Sequence, residues 1–210
     1  MDIETYKSIC KWSEELDGAF TLSDLRIALT PKQKTLNSNS LSTVYRQIEK
    51  LVQSKDLIKI KNSIYAAKNA TLASIATRIF PNAYISTGTV LAKYNIIGSI
   101  PEKKIQLIDT GKPRIFNSEL GTIQALSIKP ELFFGFERIN GVLIATPEKA
   151  YLDTCYYYYK GKKFSFDLDT DINTSLLNIK LINQYLKKYD LRFQTYFKNK
   201  FIGNFNENFI

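Results

Sequence analysis

The 210-residue sequence contains no histidine, only two cysteines and no glycine-rich loop of the P-loop type. Without histidine, nucleophilic sites that need an imidazole base and metal sites with imidazole ligands are excluded. Cys10 and Cys155 match no metal-binding spacing, so a structural zinc site is excluded and a disulfide framework is not expected. One bridge between them stays open as an alternative, but we expect two free, buried thiols in a reducing cytosol.

Long hydrophobic runs are also absent. The apolar stretches, such as Gly141–Ala145, have about five residues, whereas roughly 20 are needed to cross a bilayer. The N-terminus carries Asp2 and Glu4 and has no apolar run behind a basic start, so it does not resemble an export signal. We therefore expect a soluble, cytoplasmic protein with no membrane partner.

Basic residues exceed acidic ones, with 29 lysines and arginines against 20 aspartates and glutamates, for a net charge of +9. The excess is concentrated in the segment Lys50–Lys68 and in residues 180–210. The latter contain six basic and two acidic residues. A local excess of positive charge favours an acidic partner, most often nucleic acid.

Residues 1–68 have the pattern of three helices followed by a hairpin. Apolar spacing predicts a first helix that ends at Gly18, a second over residues 22–29 that Thr21 caps, and a third from Asn39 or Ser40 to about Ser54. Its predicted buried stripe is Leu41, Val44, Ile48, Leu51 and Val52. Leu57–Ile60 alternates like a strand, and residues 64–67 return after a turn. This layout is typical of a winged helix-turn-helix DNA-binding domain.

Polar side chains of the third helix and the hairpin are the candidate DNA-binding residues. Small, amide and guanidinium side chains on a helix can reach base edges in the major groove, while a hairpin can hold the neighbouring phosphates. We expect base-edge or adjoining phosphate contacts from Ser42, Thr43, Arg46 and Gln47. We expect phosphate-backbone contacts from Lys50, Lys59, Lys61 and Asn62. The alternative is a non-catalytic adaptor whose winged helix docks protein and whose polar face is only solvated.

Residues 69–210 predict a second, mixed α/β domain with a helical tail, which makes the whole chain α+β. Thr71, Ser86 and Thr146 are predicted helix caps, and Pro147 and Glu148 suit the first turn of the third of these helices. Short strands are predicted at 105–108, 115–116, 123–127 and 142–145. Amphipathic helices are predicted in the tail around Leu177–Leu186 and Phe193–Phe201.

No catalytic constellation is visible in the sequence. The tyrosines 156–159 point in four directions on a helix, so core and boundary packing is the expected use. Asp167, Asp169 and Asp171 do not continue as a calcium loop, because Ile172 stands where glycine is needed and Asn178 where glutamate is needed. We therefore expect a protein that is not an enzyme and needs no cofactor. A metal-dependent enzyme acting on nucleic acid is a remote alternative.

Three segments resemble passages of the AbiEi-type antitoxins. Tyr84–Leu91 with Gly98–Pro101 resembles one passage of that family. Gly141–Asp153, with its Pro-Glu-Lys-Ala and Leu-Asp, resembles a second and more specific one. Ser63–Tyr65 resembles the end of the family's wing. The sequence departs from the family at Asn62-Ser63, where a glycine is common in the wing. It also departs in the second passage, where Tyr151 replaces a leucine.

That resemblance covers about residues 5–160 and implies an antitoxin of a type IV toxin–antitoxin, or abortive-infection, system. Such a protein would bind double-stranded DNA repeats in its own promoter through the winged helix and act as a transcriptional autorepressor. Its C-terminal domain, residues 69–210, would counteract a cognate nucleotidyltransferase-like toxin. Whether the two proteins form a direct complex stays open.

Overall fold

The computed structural model describes residues 18–29, 38–98, 103–201, 203 and 205. The predicted first helix, before Gly18, lies outside these residues. Seven α-helices and two β-sheets are present in the described part, so the predicted α+β fold class is confirmed. Contacts divide the chain into two compact units, unit 1 (Met1–Pro81) and unit 2 (Asn82–Ile210).

Unit 1 contains a three-stranded antiparallel sheet and three described helices. In chain order the elements are β1 (Ala19–Thr21), α1 (Leu22–Leu29), α2 (Ser38–Gln53), β2 (Leu57–Lys61), β3 (Ile64–Ala67) and α3 (Leu72–Ile79). The strand order is β1-β3-β2, so the predicted hairpin is present and β1 extends it on one side. The sequence did not predict β1, which has three residues and is fixed by its pairing with β3.

A reciprocal cap begins α1, as the sequence predicted at Thr21. The Asp24 amide donates to Thr21 Oγ1 at 3.2 Å, and the Thr21 amide donates to Asp24 Oδ2 at 2.7 Å. The Leu22 amide donates to the Ser63 carbonyl oxygen at 2.8 Å. The start of α1 is thereby attached to the turn of the hairpin.

The core of unit 1 lies between the helices and the sheet. Ile48 and Leu51 of α2 are buried as predicted, and Val52 is partly buried against the same cluster. The side chains of Leu41 and Val44, which complete the predicted stripe, lie outside the described residues. The other buried members are Phe20, Leu25, Leu57, Tyr65 and Ala67.

Helix α3 also belongs to unit 1. Thr71 caps it as predicted, because its hydroxyl accepts from the Ser74 amide at 3.1 Å. Arg78 Nε donates to the Ala19 carbonyl oxygen at 3.2 Å, and its guanidinium lies 3.8 Å from Asp24. Through these contacts α3 is part of unit 1, which extends beyond residue 68 and ends at Pro81.

Unit 2 is built on a six-stranded mixed sheet of order β6-β7-β5-β4-β9-β8. Its strands are β4 (Tyr84–Ile85), β5 (Lys104–Asp109), β6 (Arg114–Ser118), β7 (Gly121–Ser127), β8 (Phe136–Ile139) and β9 (Val142–Ala145). The pairs β5–β7 and β4–β9 are parallel, and the other neighbours are antiparallel. The four predicted strands correspond to β5, β6, β7 and β9, whereas β4 and β8 were not predicted.

Four α-helices of unit 2 are described: α4 (Gly88–Lys93), α5 (Pro147–Tyr159), α6 (Ile179–Leu186) and α7 (Leu191–Phe201). Short 3-10 turns cover Pro130–Leu132 and Thr174–Leu176. Helix α5 begins as predicted, because Thr146 Oγ1 accepts from the Lys149 amide at 3.2 Å. The cap predicted at Ser86 is wrong, since α4 begins after Thr87 and the Ser86 hydroxyl is used elsewhere.

Aromatic side chains of α5 and α7 form much of the core of unit 2. The ring of Tyr151 meets Phe197, Phe201 and Phe205 edge-on, with centroids 5.8 to 6.4 Å apart. Tyr156 packs edge-on against Phe193 at 5.2 Å. Tyr156 and Tyr157 of the tyrosine run are buried and Tyr158 is exposed at the margin, which agrees with the predicted core and boundary packing.

Candidate nucleic-acid interface

One face of α2 is exposed and polar. Ser42, Arg46 and Lys50 are exposed and recur every four residues, so they form one row along the helix. At 1.5 Å per residue the row is about 12 Å long. Tyr45 and Glu49 are exposed beside it. We call these five residues the α2 face.

Two further residues predicted on this helix are placed differently. Gln47 is partly buried, and its Oε1 atom is buried with no hydrogen-bond partner in the described part of the chain. The side chain of Thr43 lies outside the described residues. The exposed row therefore consists of Ser42, Arg46 and Lys50, with Gln47 at its buried margin.

The hairpin β2–β3 presents the remaining candidates. Lys59, Lys61 and Asn62 are all exposed. The pairing register shifts between Lys59, which faces Tyr65, and Lys61, which faces Ile64, so β2 carries a bulge near its end. The turn is Asn62-Ser63, and Ser63 has a φ of 62°, a backbone conformation that glycine adopts more easily.

Tyr65 connects the hairpin to the α2 face. It lies on β3 and is buried at 8% exposure in the core that also holds Ile48 and Leu51 of α2. Its pKa is raised by burial, and also by the proximity of Tyr45 and Glu49. The hairpin and the α2 face are thus parts of one packed body.

The basic side chains of this surface are not neutralised within it. Across the described ranges, none of Arg46, Lys50, Lys59 and Lys61 has a carboxylate within salt-bridge distance. Four cations on a helix face and an adjacent hairpin provide donors for phosphate oxygens, and a guanidinium can also read a guanine edge in the major groove. The major groove is about 12 Å wide, which an α-helix can enter.

Unit 2 contains a buried polar cluster that the sequence did not predict, composed of Tyr84, Ser86, Lys149, Asp153 and Tyr189. Asp153 accepts hydrogen bonds from the Tyr84 hydroxyl at 3.0 Å and the Ser86 hydroxyl at 2.8 Å. Lys149, four residues before Asp153 on α5, donates to Asp153 Oδ1 and to the Tyr189 hydroxyl. Lys149 and Asp153 are both completely buried.

Burial dominates the protonation equilibria of this cluster. It raises the pKa of Asp153, an effect that Lys149 and the two hydroxyl donors oppose. It lowers the pKa of Lys149, against the attraction of Asp153. Aromatic rings also enclose the ammonium, with the centroid of Phe134 at 4.9 Å from Nζ. Because the side chains of the pair are inaccessible, the cluster can hold elements together but cannot touch a substrate.

Residues of the Pro-Glu-Lys-Ala segment are therefore engaged inside unit 2. Glu148, only 7% exposed, accepts from the Asn178 amide at 3.0 Å, at the start of α6. The Lys149–Asp153 pair could have been suspected from its i, i+4 spacing. Its partners could not, because Tyr84 and Ser86 lie 69 and 67 residues earlier in the chain.

No protein-family model and no curated protein matches this sequence. Within the described ranges, no helix combines the length and the apolar character required to span a membrane. The cysteines and carboxylates in the same ranges form no group of three that could hold a metal ion. Geometry and the resemblance of its motifs are therefore what support a function for this chain.

Proposed function

We propose that this chain is a DNA-binding transcriptional autorepressor and the antitoxin of a type IV toxin–antitoxin system. In this proposal unit 1 is a winged helix-turn-helix in which α2 is the recognition helix and β2–β3 is the wing. Its operator is double-stranded promoter DNA, and its toxin is a nucleotidyltransferase-like protein. Residues 69–210 supply the antitoxin activity.

The observation that carries the DNA-binding part is the unpaired basic surface of unit 1. Arg46 and Lys50 extend from the α2 face, and Lys59 and Lys61 extend from the hairpin that is packed against α2 through Tyr65. The helix row can enter the major groove while the hairpin lysines reach phosphates beside it. The pairing of β1 with β3 agrees with a wing anchored to the helical part of the domain.

The antitoxin part rests on the resemblance of Tyr84–Leu91 and Gly141–Asp153 to that family. Glu148, Lys149 and Asp153 are buried and make internal contacts, so they support this role by maintaining the fold. A toxin would then be recognised by other, exposed residues of unit 2.

The test is fluorescence-anisotropy binding of the full chain to the DNA upstream of its own gene and to a scrambled duplex, at two salt concentrations. We expect tighter binding to the upstream DNA, with an affinity that falls steeply as salt rises because bound counterions are released. Absence of binding to either duplex at low salt would refute the repressor proposal.

Two variants separate base reading from phosphate binding. Arg46→Ala is expected to weaken binding to the upstream DNA by about 1–3 kcal/mol if its guanidinium reads a base. Lys61→Ala is expected to weaken binding to both duplexes and to reduce the salt slope by about one. Lys68→Ala is the control, because Lys68 is exposed, follows β3 at the end of the hairpin away from the Asn62-Ser63 turn, and has Asp56 as an ionic partner.

A specific observation also favours the second candidate, a non-catalytic adaptor that docks protein. Ile27 on α1 is 66% exposed and Tyr45 on the α2 face is 45% exposed, and exposed apolar side chains are common in protein interfaces. The same titration separates the two functions. An adaptor would show no preference for the upstream DNA, and Arg46→Ala would leave its weak DNA binding unchanged.

The antitoxin role has a separate test in cells. In cells whose growth is arrested by a cognate nucleotidyltransferase-like toxin, co-expression of the full chain is expected to restore growth. If Arg46→Ala abolishes repression and still restores growth, the two roles lie in different units. Failure of the wild-type chain to restore growth would refute the antitoxin role and leave the DNA-binding result intact.

A further inference from the structure

Unit 2 has a small pocket between α4, β5 and the loop that follows α5. Its volume is about 40 Å³. A single buried water needs roughly 10–15 Å³, so the pocket has room for a group of a few atoms. Drug-sized ligands occupy several hundred Å³, which excludes them here.

Hydrogen-bond donors line this pocket. The lining residues include two exposed lysines, Lys104 of β5 and Lys163 of the loop, and two residues with hydroxyls, Thr89 and Ser165. No described residue of the lining is acidic. Neither lysine makes a salt bridge with any carboxylate in the described ranges. An ammonium has three donors and no acceptor, so the lining is suited to an anion.

Gln106 gives the pocket a fixed, buried donor. Its side chain is 8% exposed, and its Oε1 accepts from the Thr87 hydroxyl at 2.7 Å. Its Nε2 donates one hydrogen to Gln124 Oε1 at 3.1 Å, which leaves the second hydrogen of the amide for another acceptor. The Gln106 backbone amide donates to Thr89 Oγ1, so the Thr89 hydroxyl hydrogen is free to donate as well.

A third lysine makes the surroundings more positive. Lys162 lies 3.4 Å from Gln124 Oε1, beside the lining. Its pKa is lowered by burial and also by the nearby charge of Lys104. The mutual repulsion of these ammonium groups would be relieved by a bound anion.

We propose that this pocket binds one phosphate group, held by Lys104, Lys163 and the Gln106 amide. A tetrahedral oxyanion presents acceptors in several directions, which matches donors that come from a helix, a strand and a loop. The rings of Phe164 and Phe166, with centroids 5.4 Å apart, form an apolar wall beside it. The source is either inorganic phosphate or the phosphate of a small nucleotide. The site lies in unit 2 and does not depend on DNA binding by unit 1.

Isothermal titration calorimetry of the full chain with sodium phosphate, at constant ionic strength, tests the site. We expect saturable binding of one phosphate per chain and no saturable binding of chloride. Lys104→Gln and Lys163→Gln are each expected to weaken binding about tenfold, because each removes a charged hydrogen bond. Lys129→Gln is the matched control, since Lys129 is exposed on unit 2 and does not line the pocket.

Adenosine 5′-monophosphate distinguishes the two sources. Affinity equal to that of inorganic phosphate identifies the free ion, and tighter binding that Phe166→Leu reduces identifies a nucleotide. The proposal is overturned if phosphate gives no saturable heat, or if Lys129→Gln weakens binding as much as Lys104→Gln and Lys163→Gln. Promoter DNA titrated in parallel keeps this outcome separate from that of the proposed repressor function.

Discussion

Replacing Lys149 with methionine removes a buried ammonium from unit 2 and leaves Asp153 without its cationic partner. Methionine has a similar length and is apolar, so it can fill the space between the rings of Phe134, Tyr84 and Tyr189, whose centroids lie 4.9 to 5.7 Å from the ammonium. The substitution therefore isolates the electrostatic contribution from the contribution of packing.

The expected loss of stability follows from the contacts that Asp153 keeps in the Lys149→Met variant. The carboxyl is completely buried, and it keeps its hydrogen bonds from Tyr84 and Ser86 but loses the only cation that contacts it among the described residues. Removing one partner of a buried ion pair costs about 3–5 kcal/mol. For a unit of this size, that loss lowers the melting temperature by about 10–20 °C.

The loss should also depend on pH. Burial already raises the pKa of Asp153, and Lys149 is the main opposing influence, so the pKa rises further in the variant. The folded variant then binds a proton more tightly than the unfolded chain does. Its free energy of unfolding is highest below the ordinary pKa of an aspartate and falls as the pH rises through the raised pKa of the folded state.

Differential scanning calorimetry at pH 5 and pH 8 measures both effects. We expect Lys149→Met to be less stable than wild type at pH 8 and to recover part of the loss at pH 5. The double variant Lys149→Met/Asp153→Asn keeps an acceptor for Tyr84 and Ser86 but cannot titrate, so it should be more stable than Lys149→Met at pH 8. The reasoning is refuted if Lys149→Met stays within about 1 kcal/mol of wild type at pH 8, well below the loss expected for a broken buried pair.

Four backbone and capping substitutions give further expected outcomes in thermal unfolding. Ser63→Gly should stabilise the chain by about 0.5–1 kcal/mol, because Ser63 has a φ of 62° that glycine adopts more easily. Asn62→Gly should destabilise the chain, because Asn62 has a negative φ. If both substitutions change the stability in the same direction, the turn geometry is contradicted. Gly18→Ala should cost about 2 kcal/mol or more, because the added Cβ would lie 2.8 Å from the Ala70 backbone at a φ of 73°. Thr146→Ala should cost about 1 kcal/mol through loss of the α5 cap, and an unchanged melting temperature would argue against it.

Features decided by neighbouring residues could be predicted from the sequence. Caps at Thr21, Thr71 and Thr146 were correct, because a capping hydroxyl and the amide it serves are three residues apart. The cap predicted at Ser86 was wrong, because its hydroxyl donates to Asp153, 67 residues later in the chain. Strands β1 and β4 were missed because two or three residues are too few to show a period, and β8 was missed because Phe136–Ile139 is mostly exposed and does not alternate between apolar and polar residues.

In the candidate interface, too, features set by local spacing could be predicted, and features set by distant contacts could not. Helical periodicity predicted that Ser42, Arg46 and Lys50 are exposed, and strand alternation predicted the exposure of Lys59 and Lys61. Helical spacing placed Gln47 on the face opposite the apolar stripe, but a glutamine at the edge of that stripe can turn to either side, and here it is partly buried. The phosphate pocket was not visible in the sequence, because its donors come from three elements that only the sheet brings together.

The buried polar cluster changes how the Pro-Glu-Lys-Ala segment is interpreted. A charged motif without an ion-binding pattern would ordinarily be assigned to a solvated surface or to a partner. Here Glu148 accepts from the first turn region of α6, Asp153 accepts from Tyr84 of β4, and Lys149 donates to Tyr189 after α6. Glu148 accepts a hydrogen bond from a backbone amide, and Lys149 and Asp153 form an ion pair, so each buried charge has a polar partner, which is the condition under which burial is tolerated. The segment therefore fixes the helical tail to the sheet, and its buried charges stabilise unit 2 without facing solvent.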